Sequence, residues 1–380
     1  MKRVRFGIIG VGSMGSGHAR TMQKVEECQL TAVCDIDEEV AKAVGEEHGV
    51  KWFLDYRELI DSGLVDAVIV ATPHYFHPPI SIYAMKKGIA VLSEKPIAVT
   101  VKEADEMIKT AKETGVPFAV MYQNRSTGYA QAAKKLVEEG RLGEIYRTTL
   151  ISTYFRSQAY YDSAGWRGTW KGEGGGVLIN QAPHALDLFT WIGGLPSKVL
   201  AKTKTRRHKI EVEDEASAML EYPNGATGYL HTSTNEAPGT NLMEFCGEKG
   251  KLVIYNNKLY FWELETPIQE FCEKTDQMWG SPKAKPVEVP IPERETGHAA
   301  IMRNFARHIL YGEPLLTPGE EGINSVELIN AVILSGAKGE EVSIPVDREE
   351  YEAFIEEMKA KSKEKVVKKV RRETDPQHRV

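Results

Sequence analysis

Three features that many proteins have are scarce or missing in this sequence, and each absence excludes a class of protein. No apolar run comes near the ~20 residues that a membrane-spanning helix needs. The first residues enter a strand-like pattern almost at once, without the apolar segment of a secretory signal peptide. The 4 cysteines are scattered, and none stands in a C-x-x-C pair. We therefore expect a reduced, cytoplasmic protein without a membrane partner.

An excess of positive charge is missing as well. The formal net charge is −6, from 48 Lys and Arg against 54 Asp and Glu, which argues against a nucleic-acid partner. Residues 361–380 are the exception, because they are rich in lysine and arginine. Acidic residues interrupt this basic tail and it contains no aromatic ring. We interpret it as a solvated helix end rather than a nucleic-acid arm or a membrane-surface patch.

The sequence does contain a glycine-rich turn between a predicted strand and a predicted helix. The apolar run 6–9 has the length of a strand, and the turn after it carries Gly10, Gly12 and Gly15. A second short apolar run ends at Asp35, which is 35 − 15 = 20 residues past the last of these glycines. Strand, G-x-G-x-x-G, helix, strand and acid in this order are the fingerprint of a Rossmann dinucleotide-binding unit. Asp35 can bind both adenosine ribose hydroxyls and would repel a 2′-phosphate, so we predict NAD rather than NADP as the cofactor.

Each position of the turn has a physical role in this prediction. Gly10 permits the tight turn, Gly12 leaves room for a pyrophosphate, and Gly15 lets the helix pack closely on the strand. The backbone amides at the start of the helix, near Ser13 and Met14, can bind phosphate oxygens with help from the helix dipole. An ordinary glycine-rich turn is the alternative, and the strand, helix and spaced acid around it argue against that interpretation.

Strand and helix patterns continue to alternate after Asp35, with helix-start signals at Asp37 and at Thr100 with Glu103. This alternation predicts an α/β fold in which a Rossmann domain with a parallel, doubly wound sheet occupies 1–124. Ligands bind such sheets at the carboxyl ends of the strands, so the residues that follow each strand should line the cleft.

The remainder of the 380 residues is too long to share one core with this domain, and its pattern differs. Long strands and hairpin signals such as Asn224-Gly225 predict an α+β domain with a mostly antiparallel sheet over 125–346. We assign 347–380 to a C-terminal helix and the basic tail.

Polar residues follow three of the predicted strands of the first domain. The three segments are Thr72-Pro73-His74, Glu94-Lys95-Pro96 and Gln123-Asn124-Arg125. A lysine at the position of Lys95 can hydrogen-bond a substrate hydroxyl and lower its pKa. A surface lysine lying over the rim of the sheet is the alternative.

A second group of polar residues follows the triple glycine at 174–176. Asn180, His184 and Asp187 are spaced by four and three residues, which predicts that they share one face of a helix over 177–191. His184 is a candidate general base, because the reference pKa of histidine is ~6.5. Asn180 can hold a substrate hydroxyl, and Asp187 is expected to anchor the helix or orient His184. A buried histidine with satisfied hydrogen bonds is the alternative interpretation.

Histidines elsewhere suggest a metal only weakly. His74 and His77 have a metal-like spacing, alone or together with His298 or His308. No cysteine or carboxylate completes a zinc set at a familiar spacing, so we predict no metal site.

An aromatic segment over 154–170 carries Arg156 and Arg167. Aromatic faces can stack on sugars while arginines bind hydroxyl or phosphate groups, so Arg156 is a candidate substrate ligand. Core packing or a subunit interface explains most of these aromatic residues equally well.

Together these motifs resemble the Gfo/Idh/MocA oxidoreductases, the glucose-fructose oxidoreductase and inositol dehydrogenase type, over nearly the whole chain. The resemblance implies a Rossmann domain followed by an open-faced sheet domain whose flat surface forms homodimers or homotetramers. It rests on the glycine turn, on Ala71-Thr72-Pro73-His74-x-x-His77, on Glu94-Lys95-Pro96, on Gly174-Gly175-Gly176…His184-x-x-Asp187, and on Gly336…Val342-x-Ile344-Pro345.

The resemblance also implies roles for individual residues. In such enzymes the lysine matching Lys95 contacts both cofactor and substrate, and the histidine matching His184 is the usual acid/base. The family usually has Asp where this chain has Asn180, so proton transfer is expected to rest on His184. Residues that line the cofactor match Thr72, Pro73, His77, Glu94, Trp166 and Arg167.

We therefore predict an NAD-dependent dehydrogenase of a secondary hydroxyl in a sugar, cyclitol or glycoside. His184 takes the proton, Lys95 stabilises the alkoxide, and Asn180, Asn124 and Arg156 bind the substrate. One alternative is an NAD-dependent glycosidase that oxidises its substrate transiently and then eliminates the aglycone. Another is a non-catalytic, dinucleotide-binding regulator.

Overall fold

The computed structural model describes residues 2–365 and 367, and strands alternate with helices in its first part. These elements are β1 (Val4–Ile9), α1 (Ser13–Met22), β2 (Cys28–Cys34), α2 (Glu38–His48), β3 (Lys51–Phe53), α3 (Tyr56–Asp61), β4 (Ala67–Val70), α4 (His77–Lys86), β5 (Ala90–Ser93), α5 (Val101–Thr114) and β6 (Phe118–Val120). The strands form a parallel sheet in the order β3-β2-β1-β4-β5-β6, which is the Rossmann order. The predicted α/β fold of this part is confirmed.

Short polar side chains set the helix ends, as the sequence predicts. The carboxylate of Asp37 accepts hydrogen bonds from backbone amides at the start of α2, which ends at Gly49 in the left-handed conformation. Thr100 and Glu103 form the capping box at the start of α5. Every residue of β4 and β5 is buried, as expected for a parallel sheet that is covered on both faces.

The second part of the chain builds a mixed sheet. Its elements are α6 (Gly128–Glu138), β7 (Ile145–Thr153), α7 (Gln158–Asp162), α8 (Val177–Asn180), α9 (Pro183–Gly193), β8 (Lys198–Lys204), β9 (Glu215–Glu221), β10 (Thr227–Ser233), β11 (Asn241–Gly247), β12 (Gly250–Tyr255), β13 (Lys258–Leu264), α10 (Ile268–Lys274), β14 (Ala284–Val287), α11 (Gly297–Tyr311), α12 (Ile323–Lys338), β15 (Val342–Ser343) and α13 (Arg348–Lys361). The strand order within the described residues is β14-β13-β12-β11-β7-β10-β9-β8-β15. Within this sheet β7 pairs with β10 in parallel. The other neighbouring strands of the sheet, over the described residues, are antiparallel, which confirms a mostly antiparallel sheet.

One face of this sheet packs against helices, and the other is open. α9 and α12 contact the strands on the covered face. The turn at Asn224-Gly225 joins β9 to β10 as predicted, and Gly225 has a positive φ of 82°. Large apolar side chains on the strands remain exposed, namely Leu200, Met219, Tyr229, Tyr255 and Tyr260.

The helix predicted over 177–191 is two helices in the structure. α8 ends at Asn180, and α9 begins at Pro183. A proline ring has no N–H to continue the hydrogen bonds of the preceding turn, and it suits the first position of a new helix. The prediction that Asn180, His184 and Asp187 share one helical face is therefore wrong.

Late segments of the chain return to the first sheet. Ile301, Met302 and Phe305 of α11 lie in one buried cluster with Phe6 and Ile8 of β1. α13 packs beside α5. None of the helices in the described residues is both long enough and apolar enough to cross a membrane.

The basic tail is only partly described. α13 ends at Lys361, and the residues after it lie on the aromatic segment, where Lys365 donates to the carbonyl oxygens of Tyr161 and Arg167 at 2.7 and 2.6 Å. This packing was not predicted. Residues 366 and 368–380 lie outside the described residues, so for them the solvated helix end stays a prediction.

Candidate active site

The glycine turn after β1 is closely packed on two sides and open on the third. Gly10 has a φ of 86°, and a Cβ there would lie 2.8 Å from the backbone of Ala71. A Cβ on Gly15 would clash with the carbonyl oxygen of Gly10, so only glycine allows this approach of helix and strand. A Cβ on Gly12 would meet no atom of the described residues within 4 Å. The open side has the space that a pyrophosphate needs.

The start of α1 faces the same opening. Gly12 is the residue that caps α1, and among the described residues no side chain accepts a hydrogen bond from its first amides. Ser13 is exposed and Met14 is half-buried at this end, and no acidic residue occupies the first turn. The amides of this turn can therefore bind an anion, as predicted for a phosphate group.

Asp35 lies beside the turn, at the end of β2. Its Oδ2 atom accepts a hydrogen bond from the amide of Val11 at 2.9 Å, and its Oδ1 accepts one from Asp37 at 3.1 Å. These two bonds hold the carboxylate next to the turn, where the adenosine ribose of a dinucleotide would lie.

The segment after β4 lies at the same edge of the sheet. The hydroxyl oxygen of Thr72 is buried, and among the described residues it has no hydrogen-bond partner, so a bound ligand would satisfy it. Pro73 begins a short 3₁₀ turn, His74–Phe76. The ring nitrogens of His77 each lie 2.8 Å from a carbonyl oxygen, one of Thr72 and one of Pro96. His77 therefore joins the segments that follow β4 and β5.

Lys95 reaches from the first domain into the second. Its Nζ donates to the main-chain carbonyl oxygen of Asn180 at 2.9 Å, and the Lys95-Pro96 peptide bond is cis. Burial lowers the pKa of Lys95, and the carboxylate of Glu94 partly opposes this effect. The amine is therefore held at the boundary of the two domains.

Glu94 is held by two bonds behind this lysine. Its Oε2 accepts from the amide of Lys95 at 3.1 Å, and its Oε1 lies 2.7 Å from Nε2 of His18. Burial acts to raise the pKa of Glu94, but the contact with His18 and the charges of His298 and Lys95 together outweigh it and hold that pKa below the usual value. His18, Glu94 and His298 bring potential metal ligands within 4.8 Å of one another, the one such group among the described residues. No sequence spacing signals this group, which comes from three distant segments.

His184 lies in the first turn of α9 and faces the segment after β6. Its Nε2 lies 3.3 Å from the amide nitrogen of Gln123, and its ring meets the ring of Tyr122 edge-on at 6.2 Å between centroids. In its neutral form an imidazole keeps a lone pair on one of its two ring nitrogens, which is what a general base requires. Gln123 lies in a predicted cleft segment, but its contact with His184 was not predicted.

Asp187 is bound to an arginine of the segment after β6. Its carboxylate accepts two hydrogen bonds from the guanidinium of Arg125, at 2.6 and 2.8 Å, and both side chains are buried. Asp187 therefore anchors α9 to the segment after β6, which is one of its two predicted roles.

The amide of Asn180 is bound to a buried carboxylate that the sequence analysis did not identify. Its Nδ2 contacts Oε1 of Glu173 and lies 3.4 Å from the hydroxyl of Tyr160. Burial raises the pKa of Glu173, and the charge of Arg167 opposes this rise. Glu173 directly precedes the triple glycine, and that position is the one signal that could have drawn attention to it.

The aromatic segment surrounds these groups with two arginines. The guanidinium of Arg167 lies 4.4 Å from the ring centres of both Tyr160 and Trp166. The guanidinium of Arg156 lies 5.4 Å from the ring centre of Tyr160, and its charge lowers the pKa of Lys95. The structure therefore brings Arg156, Arg167 and Trp166 close to the boundary that holds Lys95.

Asn124 lies in the segment after β6, beside α9. With Tyr154, Asn241 and Ala185 it lines a small cavity of about 30 Å³. Ala185 follows His184, so Asn124 is close to the candidate base.

Two models of protein families match this chain. One, described as an oxidoreductase family with an NAD-binding Rossmann fold, matches residues 4–122. The other, described as the GFO/IDH/MocA C-terminal domain, matches residues 130–253. The chain belongs to the Gfo/Idh/MocA family. Its first domain is therefore an NAD-binding domain, and the open turn at Gly12 and the unpartnered Thr72 hydroxyl fit that cofactor.

Other members of the Gfo/Idh/MocA family are similar over most of the chain. The crystal structure of the WlbA dehydrogenase from Bordetella pertussis, in complex with NADH and UDP-GlcNAcA, has 30% sequence identity and a TM-score of 0.78, and the match covers 91% of this chain and 100% of that one. The D-glucoside 3-dehydrogenase of Escherichia coli is 27% identical over 90% of this chain and 97% of its own length. The myo-inositol 2-dehydrogenase of Thermotoga maritima is 25% identical over 84% and 92%. This Gfo/Idh/MocA protein is an NAD-dependent oxidoreductase of the sugar dehydrogenase type.

Proposed function

We propose that this protein oxidises a secondary hydroxyl of a sugar, cyclitol or glycoside. The observation that carries the proposal is the 2.9 Å contact between Nζ of Lys95 and the carbonyl oxygen of Asn180, four residues before His184. This contact brings the amine of Lys95 to the segment that carries the imidazole of His184. Both lie at the carboxyl edge of the parallel sheet, where the dinucleotide binds.

The residues have complementary tasks in this reaction. His184 accepts the hydroxyl proton on the unprotonated nitrogen of its imidazole ring. The contact with Asn180 uses one of the three N–H donors of the Lys95 ammonium, and another stabilises the developing alkoxide. NAD, when bound, supplies the acceptor for the hydride. The carboxylate of Asp35 favours NAD over NADP.

The substrate is held by residues around this pair. The charge of Arg156 acts on Lys95, and Asn124 directly follows Gln123, which contacts His184; both side chains can bind ring hydroxyls. The side-chain amide nitrogen of Asn180 is bound by Glu173. The side-chain oxygen Oδ1 of Asn180 is left to accept from a substrate hydroxyl. The relatives named for UDP-GlcNAcA, D-glucoside and myo-inositol support a polyhydroxylated ring as the substrate.

We also propose a cytoplasmic homodimer or homotetramer. The open face of the mixed sheet carries exposed apolar side chains that include Leu200, Met219 and Tyr229, and a second copy of the chain would cover them. The cysteines are unpaired in the described residues, which fits a reducing compartment. Sedimentation velocity with Met219→Lys tests the interface, and an unchanged oligomer would contradict its location.

A substrate screen tests the proposed reaction. Pyranoses, inositols, glycosides and nucleotide sugars are incubated with NAD, and NADH formation is followed by absorbance. Lys95→Ala and His184→Ala should each lower kcat by about 10²- to 10⁴-fold, and His184→Ala should leave NAD binding nearly unchanged. Lys134→Ala is the matched control, because Lys134 also donates to a main-chain carbonyl, that of Trp191, outside the site.

The outcomes separate the candidate functions. If both variants retain wild-type turnover, the assignment of Lys95 and His184 is wrong. Release of an aglycone without net NADH would identify the glycosidase instead.

A further inference from the structure

One buried acid at the site has no task in the proposed mechanism. Glu173 is only 1% exposed and lies in the glycine-rich segment between α7 and α8. We infer that Glu173 is a positioning residue of the site, which fixes Asn180 and thereby the amine of Lys95, and which supplies the negative charge that keeps this amine protonated. The inference rests on the proposed function.

Both oxygens of the Glu173 carboxylate accept hydrogen bonds from parts of the site. Oε1 accepts from the amide of Asn180, and Oε2 accepts from the backbone amide of Gly168. The carbonyl oxygen of Glu173 accepts from Nδ1 of His74 at 3.0 Å. Two N–H donors on the two oxygens suit the ionised carboxylate, because a protonated one would have to donate from one of them.

The contact continues from Asn180 to the amine. The side chain of Asn180 is bound by Glu173, and its main-chain carbonyl oxygen accepts from Lys95 at 2.9 Å. A shift of Asn180 therefore moves the acceptor that aims the Lys95 ammonium. Asparagine carries no charge, so in this pair the charge resides on Glu173 alone.

Charges of both signs surround the amine. The acids near Lys95 are Glu94 and Glu173, and the neighbouring bases are Arg167, Arg156, His74 and His77. Glu173 itself is faced by Arg167, Lys365, Tyr160, Tyr161 and Glu213. Burial lowers the pKa of Lys95, and Glu173 opposes that effect. Without the Glu173 charge, Lys95 loses its proton at lower pH.

Glu173→Gln and the exchange Glu173→Gln/Asn180→Asp test the inference. Glu173→Gln should change the dependence of kcat/KM on pH. The fall of kcat/KM at high pH, the basic limb, should move to lower pH by about one unit, since one pKa unit corresponds to a single moderate charge interaction. The misaimed amine should lower kcat by about 10- to 100-fold. The exchange returns the charge to the same amide–carboxylate pair, so the limb should return toward its wild-type position.

A second measurement is independent of turnover. Trace acetylation of Lys95 at a series of pH values, read by peptide mass spectrometry, reports the midpoint at which the amine loses its proton. The midpoint should fall in Glu173→Gln and recover in the exchange variant. Glu327→Gln is the matched control, because Glu327 is another buried glutamate that accepts from a backbone amide, that of Val346, and it should leave the midpoint in place.

The two measurements separate failure of this inference from failure of the proposed function. If turnover is present and Glu173→Gln moves neither the limb nor the midpoint, the inference is overturned and the dehydrogenase stands. If the midpoint moves as expected but no substrate is oxidised, the role of Glu173 is supported and the dehydrogenase assignment fails. If Glu173→Gln does not fold, the exchange variant decides, and a midpoint about one unit below wild type would overturn the inference.

Discussion

The amine of Lys95 and the main-chain carbonyl of Asn180 are 2.9 Å apart, and each belongs to a different domain. Lys95 follows a strand of the parallel sheet, whereas Asn180 ends a helix that belongs to the mixed-sheet domain. The site therefore exists only where the two domains meet. Substitutions should affect cofactor binding, folding or chemistry separately, according to the side of this boundary they alter.

Gly12→Ala and Gly15→Ala should separate cofactor binding from folding. Alanine at Gly12 meets no described atom within 4 Å but fills the space for the pyrophosphate, so the Kd for NAD should rise about tenfold or more. Alanine at Gly15 clashes with Gly10, and the free energy of unfolding should fall by about 1–3 kcal/mol. Calorimetric NAD titration and urea unfolding measure the two effects. Wild-type NAD affinity in Gly12→Ala would contradict the assigned phosphate site.

Asp35→Ser should weaken the preference for NAD over NADP. The change removes the negative charge that repels a 2′-phosphate and keeps a hydroxyl in its place, so the ratio of kcat/KM for NAD to that for NADP should fall about 10- to 100-fold. Steady-state kinetics with both cofactors measure this ratio. Asp37→Ser is the control, because Asp37 is an acid two residues after Asp35 that caps α2. An unchanged ratio in Asp35→Ser would argue against the ribose contact.

Asp187→Asn should destabilise the protein. The substitution removes the bidentate partner of buried Arg125 and leaves it only the ion pair with the exposed Glu321, so the free energy of unfolding should fall by about 3 kcal/mol, the lower end for breaking such a pair. The double variant Arg125→Met/Asp187→Leu, which buries no unpaired charge, should lose less. Urea denaturation compares the three proteins. If the single and double variants lose the same free energy of unfolding, this account is wrong.

Lys365→Met should raise the KM for NAD several-fold. Lys365 donates to the carbonyl oxygens of Tyr161 and Arg167, and its loss would loosen the segment that carries Trp166 and Arg167. Lys363→Met is the control, because Lys363 contacts Glu211 through its backbone amide. Equal KM values for the two variants would show that this tail contact does not support the cofactor.

Features that depend on residues close together in the sequence could be predicted. The glycine turn and Asp35 belong to one short strand–helix–strand unit. Their spacing alone therefore predicts that Asp35 lies beside the turn. Helix starts at Asp37 and Thr100 are equally local, because a capping side chain bonds an amide two or three residues later.

Contacts between distant segments could not be predicted in the same way. Gln123 meets His184 only because the segment after β6 and the start of α9 converge in the fold. Glu173 stands in a glycine-rich stretch without periodicity, so no spacing linked it to Asn180. The predicted common face for Asn180 and His184 failed because the spacing argument assumed a continuous helix, and Pro183 starts a new one.

α11 covers an apolar part of the first sheet. All strands of that sheet come much earlier in the chain, before residue 121. A nascent polypeptide that has emerged only as far as β6 therefore presents Phe6 and its neighbours without Phe305. The ribosome has to deliver the chain as far as Tyr311 before the first domain is complete. Chaperones should consequently engage this domain during synthesis, and a truncated gene that ends after β6 should yield an aggregating product.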